Sequence, residues 1–129
     1  DRETIPYCMR NEKAVIVYSP LERGLLTGKM KPGYLFAEGD HRKHNPFFTD
    51  DSIEHTNAFL DKLKPLADEK GVTLAQLVIR WTVNYTGVTV ALVGARNPAQ
   101  AIQNAKAADV ALSPDEMEFI NQQIELMLK

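Results

Sequence analysis

Two short segments carry side chains able to hold an anion. The first is Tyr18-Ser19-Pro20-Leu21-Glu22-Arg23-Gly24-Leu25-Leu26-Thr27-Gly28-Lys29. Its hydroxyls, two glycines, Arg and Lys are a set that can wrap phosphate oxygens with backbone amides and a point charge. On composition alone, a solvated turn is the favoured reading. The second is Gly94-Ala95-Arg96-Asn97-Pro98, followed by Gln100 and Asn104. Gly94 leaves room for close backbone approach. Arg96 stands just before a helix start, where free amides and the helix dipole attract anions. Gln100 and Asn104 are four apart and share a helix face. An Arg for a phosphate beside two amides for a base edge makes a nucleotide grip. A capped helix with ordinary polar surface accounts for the same residues equally well.

The elements around these segments explain why both lie where ligands bind. Ala14 to Tyr18 is an almost unbroken apolar run, as expected of a strand buried on both faces. Ser19-Pro20 ends it, since Pro cannot donate to a sheet ladder. Val88 to Val93 is a second apolar, β-branched run closed by Gly94. Both segments therefore follow the carboxyl end of a strand, the ligand-binding end in parallel α/β architectures.

Between the strands, residues 21–51 read as a long loop rich in Gly and Pro, which in a compact domain is usually functional or mobile. Ser52 to Lys70 has helical spacing, with Phe59, Leu60, Leu63, Leu66 and Ala67 on one face. Pro65 is expected to kink or divide that helix, and Gly71 to stop it. Thr73 caps a helix reaching about Tyr85, with Leu74, Leu77, Val78 and Trp81 on its buried stripe. Asn97-Pro98 starts a helix expected to reach about Ala108. Ser113 and Glu116 have capping-box spacing ahead of a last helix carrying Met117, Ile120, Ile124 and Met127 or Leu128. The end of a helix, weakened by Pro6, is expected from Asp1 to Asn11. The chain thus opens inside an element, as trimming, proteolysis or partial recording would produce.

Strand, helix, strand, helix implies parallel pairing with a right-handed crossover. Two parallel strands leave faces and edges open, so the expected fold is part of a larger sheet or barrel.

Totals narrow the function. The chain has 129 residues, which suits one domain. A net charge of −2 argues against a general nucleic-acid or anionic-membrane binder. Cys8 is alone, so no intrachain disulfide exists and a reducing, cytoplasmic setting is expected. No apolar run approaches membrane-spanning length and no signal peptide is visible. The histidines His41, His44 and His55 lack metal-ligand spacing, so no metal is expected.

Taken together, the two segments resemble those after the seventh and eighth strands of aldo-keto reductases. Tyr-Ser-Pro-Leu with Gly-Leu-Leu-Thr-Gly-Lys matches the first. Gly94-Ala95-Arg96-Asn97-Pro98 with Gln100 and Asn104 matches the second, and Arg80-Trp81 also fits. The likeness is greatest to the bacterial-type branch that includes potassium-channel β subunits. It implies the carboxy-terminal part of a (β/α)₈ barrel, with residues 1–129 as a single incomplete domain holding its last two parallel strands. It implies NADPH as cofactor and a small carbonyl compound as substrate.

By matched position, the resemblance implies that Tyr18 stacks on the nicotinamide and that Ser19, Pro20, Leu21 and Lys29 hold the pyrophosphate. Gly94 and Arg96 fall where the resemblance implies that the 2′-phosphate is read, and Gln100, Gln103 and Asn104 where it implies the adenine. The family's catalytic Asp, Tyr, Lys and His fall in the first half of the barrel, before this chain begins. Tyr7, Tyr34, Tyr85, His41, His44 and His55 match none of them. The resemblance therefore implies a partner, the remainder of the barrel, and no catalytic residue here.

Three functions compete at this point. One is a piece of an NADPH-dependent carbonyl reductase. Another is a regulatory or interaction protein of the same family without useful turnover. The last is a helix-turn-helix DNA binder on Thr73 to Tyr85, disfavoured by the acidic balance and the following strand.

Overall fold

A computed structural model describes residues 3–128. Seven regular elements follow in chain order: α1 (Thr4–Arg10), β1 (Ile16–Tyr18), α2 (Asp50–Glu69), α3 (Leu74–Asn84), β2 (Val90–Leu92), α4 (Pro98–Ala105) and α5 (Pro114–Met127). Of the first expected helix, Asp1 and Arg2 lie outside the described residues.

The two strands pair in parallel, with Ile16 opposite Val90, Val17 opposite Ala91 and Tyr18 opposite Leu92. Thr89 starts the ladder: its hydroxyl accepts from Val15 N at 3.0 Å, and its own N–H donates to Val15 O at 2.9 Å. The strands are shorter than their apolar runs, and their predicted burial on both faces is not found. Val17 and Ala91 are partly buried, whereas Ile16 and Tyr18 are 60% and 80% exposed. The reason is geometric. Alternate side chains point to opposite faces, α3 packs against β2, and among the described residues nothing covers the other face.

The helices hold the main core. Leu63, Leu66 and Ala67 of α2 meet Leu77 of α3 and Ile120 of α5, with Phe59, Trp81 and Ile124 packed around them. Their placement follows the 3.6-residue period. Both later helices start on a capping box, Thr73 with Gln76 and Ser113 with Glu116, each satisfying otherwise orphaned amides. Glu116 also pairs with Lys70 at 2.7 Å, and these hydrogen bonds hold its carboxyl below the usual range. Trp81 donates its indole N–H to Asn121 Oδ1 at 2.9 Å.

Helix α2 runs unbroken through Pro65, contrary to the expectation of a division. Pro65 and Asp61, whose carbonyl loses its i+4 partner, are both exposed, so water can serve that carbonyl. Helix α4 stops at Ala105 and tightens into a 3₁₀ turn over Lys106–Asp109, rather than continuing to Ala108.

The long loop is also more ordered than its composition suggests. It contains 3₁₀ segments at Glu22–Thr27, His41–His44 and Pro46–Phe48. A second core of Leu25, Met30, Phe48 and Ile53, with Phe36 against it, ties these segments to α2.

Candidate functional site

The parallel register brings the carboxyl ends of β1 and β2 side by side, so the segments beginning at Ser19 and Val93 leave the same edge of the sheet. Tyr18 and Leu92 face each other across that edge, and both side chains are exposed.

The first segment is strained. Four non-glycine residues have left-handed backbone among the described residues, and three of them lie here: Ser19 at φ 55°, Glu22 at 40° and Arg23 at 51°. Such conformations persist only where the surroundings over-determine them. Leu25 is buried and anchors the segment from below. Thr27 Oγ1 donates to Gly24 O at 2.7 Å and closes the turn. Gly28, at φ 72°, lies close enough to α3 that a Cβ there would sit 2.8 Å from Leu74 Cδ1. Lys29 follows, exposed. Pro20 and Leu21 are partly buried between these points.

The second segment is held by its own amides. Asn97 Oδ1 caps α4 by accepting from Gln100 N at 2.9 Å. Gln100 Oε1 accepts from Arg96 N at 2.8 Å, and Asn104 Nδ2 donates to Gly94 O at 3.1 Å. Gln100 Nε2 and Asn104 Oδ1 keep no partner among the described residues. Arg96 is exposed and makes no ion pair among them. The space over Gly94 is open, with nothing within 4 Å of where a Cβ would stand. Gln103 differs from its neighbours. Its Oε1 and backbone oxygen accept from Gln76 Nε2 at 3.3 and 3.0 Å, which ties it to α3.

Behind the first segment lies an apolar cavity of about 350 Å³, bounded by Leu25, Phe59, Leu77, Trp81, Ile124 and Met127 among others. Tyr34 packs on Phe36, and Tyr85 on Trp81. His55 Nε2 lies 2.9 Å from Met127 O. Among the described residues no group of three or more His, Cys, Asp or Glu side chains is arranged to hold a metal. No described helix is long and apolar enough to cross a membrane.

Sequence reasoning missed the pair Asp40 and Arg42. Arg42 Nη2 lies 2.6 Å from Asp40 Oδ2, and Nη1 donates to Arg23 O at 3.0 Å. The guanidinium beside it holds the Asp40 carboxyl at about 2. The visible signal was an Asp two residues before an Arg at the start of a turn, where an Asp side chain turns back on the backbone.

Comparison with known proteins gives these residues their setting. The model of the aldo/keto reductase family matches residues 1–125. A probable voltage-gated potassium channel subunit beta from Arabidopsis thaliana is 34% identical over 133 residues, covering 97% of this chain and 39% of that protein. An NADH-specific methylglyoxal reductase from Escherichia coli is 28% identical over 127 residues, covering 98% of this chain and 38% of that protein. The structure of a glycerol dehydrogenase from Gluconobacter oxydans superposes with a TM-score of 0.85 at 29% identity, over 95% of this chain and 37% of the other. The chain thus spans under two-fifths of the length of these relatives.

Proposed function

The chain belongs to the aldo/keto reductase family, and we propose that it is the carboxy-terminal, NADPH-gripping part of a (β/α)₈ barrel that reduces aldehydes or ketones to alcohols. The observation that carries this reading is the shared edge. Two strand ends in parallel register present a strained loop with Lys29 and a capped helix start with Arg96, which makes no ion pair among the described residues.

The donor set fits a dinucleotide phosphate. Arg96 supplies a cation with no ion-pair partner among the described residues, beside open space over Gly94. Gln100 Nε2 and Asn104 Oδ1 offer one donor and one acceptor to a base edge. Tyr18 offers an exposed ring at the strand end for the nicotinamide. Ser19, Pro20, Leu21 and Lys29 line the path expected for the pyrophosphate. Gln103, engaged by Gln76, shapes the wall near the adenine through α3. When bound, NADPH would supply the hydride.

In this reading no residue of this chain protonates the product. Residues 1–129 form one incomplete domain, and their partner is the remainder of the barrel. Further strands would continue the sheet along the outer edges of β1 and β2, and exposed Ile16, Tyr18, Val90 and Leu92 make the face that a closed barrel would cover. The acidic balance supports no nucleic-acid role, and the lone Cys8 supports a reducing, cytoplasmic setting.

A second reading, a family member that binds cofactor without useful turnover, is favoured by the likeness to a potassium channel subunit beta. Aldehyde-dependent NADPH oxidation by the intact protein that carries this chain separates the two. Turnover supports the reductase, and cofactor binding without it supports the regulatory protein. Failure to bind either nicotinamide cofactor would overturn both.

A further inference from the structure

Arg42 lies on the long loop, away from either expected phosphate segment, yet its side chain reaches the strained turn. Nη1 donates to Arg23 O, nineteen residues back, at 3.0 Å. The rest of the guanidinium is fixed on several sides. Nε lies 3.1 and 3.2 Å from the two Asp40 oxygens, and Nη2 lies 2.6 Å from Oδ2. The rings of Phe36 and Tyr34 lie 5.3 and 6.0 Å from its central carbon. Phe36 in turn packs edge-on against buried Phe48.

Asp40 is itself held, because its side chain accepts from Arg42 N at 3.0 Å as the cap of the 41–44 turn. The chain from buried core to Arg23 carbonyl is therefore continuous. Glu22 and Arg23 are both left-handed without being glycine, and they need restraint from outside their own turn. Leu25 supplies one restraint by burial, and the Arg42 hydrogen bond supplies one on the other side of Gly24. The planar fork can bind a carboxylate and a carbonyl at once, which an ammonium group does in no fixed geometry.

We propose that Arg42 is a positioning residue that clips the 31–48 loop onto the turn at Glu22-Arg23-Gly24, holding the segment after β1 in the shape that receives the cofactor. The proposal rests on the cofactor-binding reading of that segment. It differs from direct capture of a phosphate, because Asp40 already occupies the cationic face of Arg42.

The test uses the intact protein that carries this chain, with Arg42→Lys and Asp40→Asn. Hydrogen exchange at residues 22–26 is followed without cofactor, and NADPH and NADH are titrated separately. Arg42→Lys should speed exchange there by about tenfold or more, as loss of a charge-assisted hydrogen bond implies. It should weaken both cofactors by the same factor. Asp40→Asn should act in the same direction, more mildly. Unchanged exchange at 22–26 in Arg42→Lys would overturn the clip. Tighter NADPH binding in Asp40→Asn would also overturn it, by showing that the freed guanidinium is a phosphate ligand. If the unmodified protein bound neither cofactor, the functional reading would fall, while the exchange result would still decide whether Arg42 restrains the turn.

Discussion

Replacing Arg96 by Ala tests the second segment most directly. The backbone there does not depend on the Arg side chain: Gln100 Oε1 holds Arg96 N, Asn97 caps α4, and Asn104 holds Gly94 O. The substitution should therefore leave the loop in place and remove only the cation. Arg96 has no carboxylate partner among the described residues, so no buried charge is orphaned by its loss. A charge-assisted hydrogen bond contributes about 1.5–3 kcal/mol, and the exposed position favours the lower end. NADPH affinity should fall on the order of tenfold, and the loss should shrink as salt is raised. NADH has no 2′-phosphate to release, so its affinity should hold. Titrating each cofactor into the intact Arg96→Ala protein measures the ratio. Equal weakening of both, or of neither, would remove Arg96 from the phosphate site.

Other outcomes follow from the same structure. The 129-residue chain by itself should oxidise no NADPH with an aldehyde, because no matched general acid is present; steady turnover by purified chain would refute this. Its unpaired strand edges should also drive association, and a monodisperse, cooperatively folding monomer would count against that. Leu77→Ala removes a fully buried contact of the helical core and should cost about 2–5 kcal/mol in urea unfolding of the intact protein. Gly87→Ala should destabilise by at least about 1–2 kcal/mol, since φ is 91° and a Cβ would run into Ile5 and Met9 of α1; an unchanged midpoint would contradict the packing of α1 there. Asp40, beside Arg42 and His41, has its folded pKa lowered from 3.8 to about 2. The stabilisation from this pair is therefore fully present only above about pH 4 and is lost as pH falls through about 2. A carboxyl titration should find that depressed midpoint, and a midpoint near 3.8 would show that the pair does not form.

Local chemistry decided what could be read in advance. Ile16 to Tyr18 and Val90 to Leu92 announced themselves as strands, because β-branched and apolar runs ended by Pro20 and Gly94 have few other uses. Asn97-Pro98 and Ser113 to Glu116 did the same for helix starts. Pro65 does not divide α2, because whether it breaks a helix depends on which side of the helix the orphaned carbonyl faces. The exposure of Ile16 and Tyr18 depends on what packs over them, and an apolar run carries no record of that. Arg42 to Arg23 and Gln76 to Gln103 join residues nineteen and twenty-seven positions apart. No short-range pattern marks such pairs. The two segments proposed to hold the cofactor stood out through their resemblance to aldo-keto reductase segments, since composition alone favoured a solvated turn for the first and left the second evenly divided.

The strand ladder has a consequence for the order of assembly. Val15 and Thr89 meet across a separation of 74 residues, and the ladder they start has only three pairs. Closing so long a loop costs entropy before a single ladder bond can form, and three pairs return little of it. The crossover must therefore shorten first, through α2 and α3 docking on Leu63, Leu66 and Leu77. On an emerging chain β1 leaves before β2, and the backbone edge that pairs with β2 stays open until the whole crossover and β2 have followed. The interval between those two events is when this chain is most open to capture by another strand.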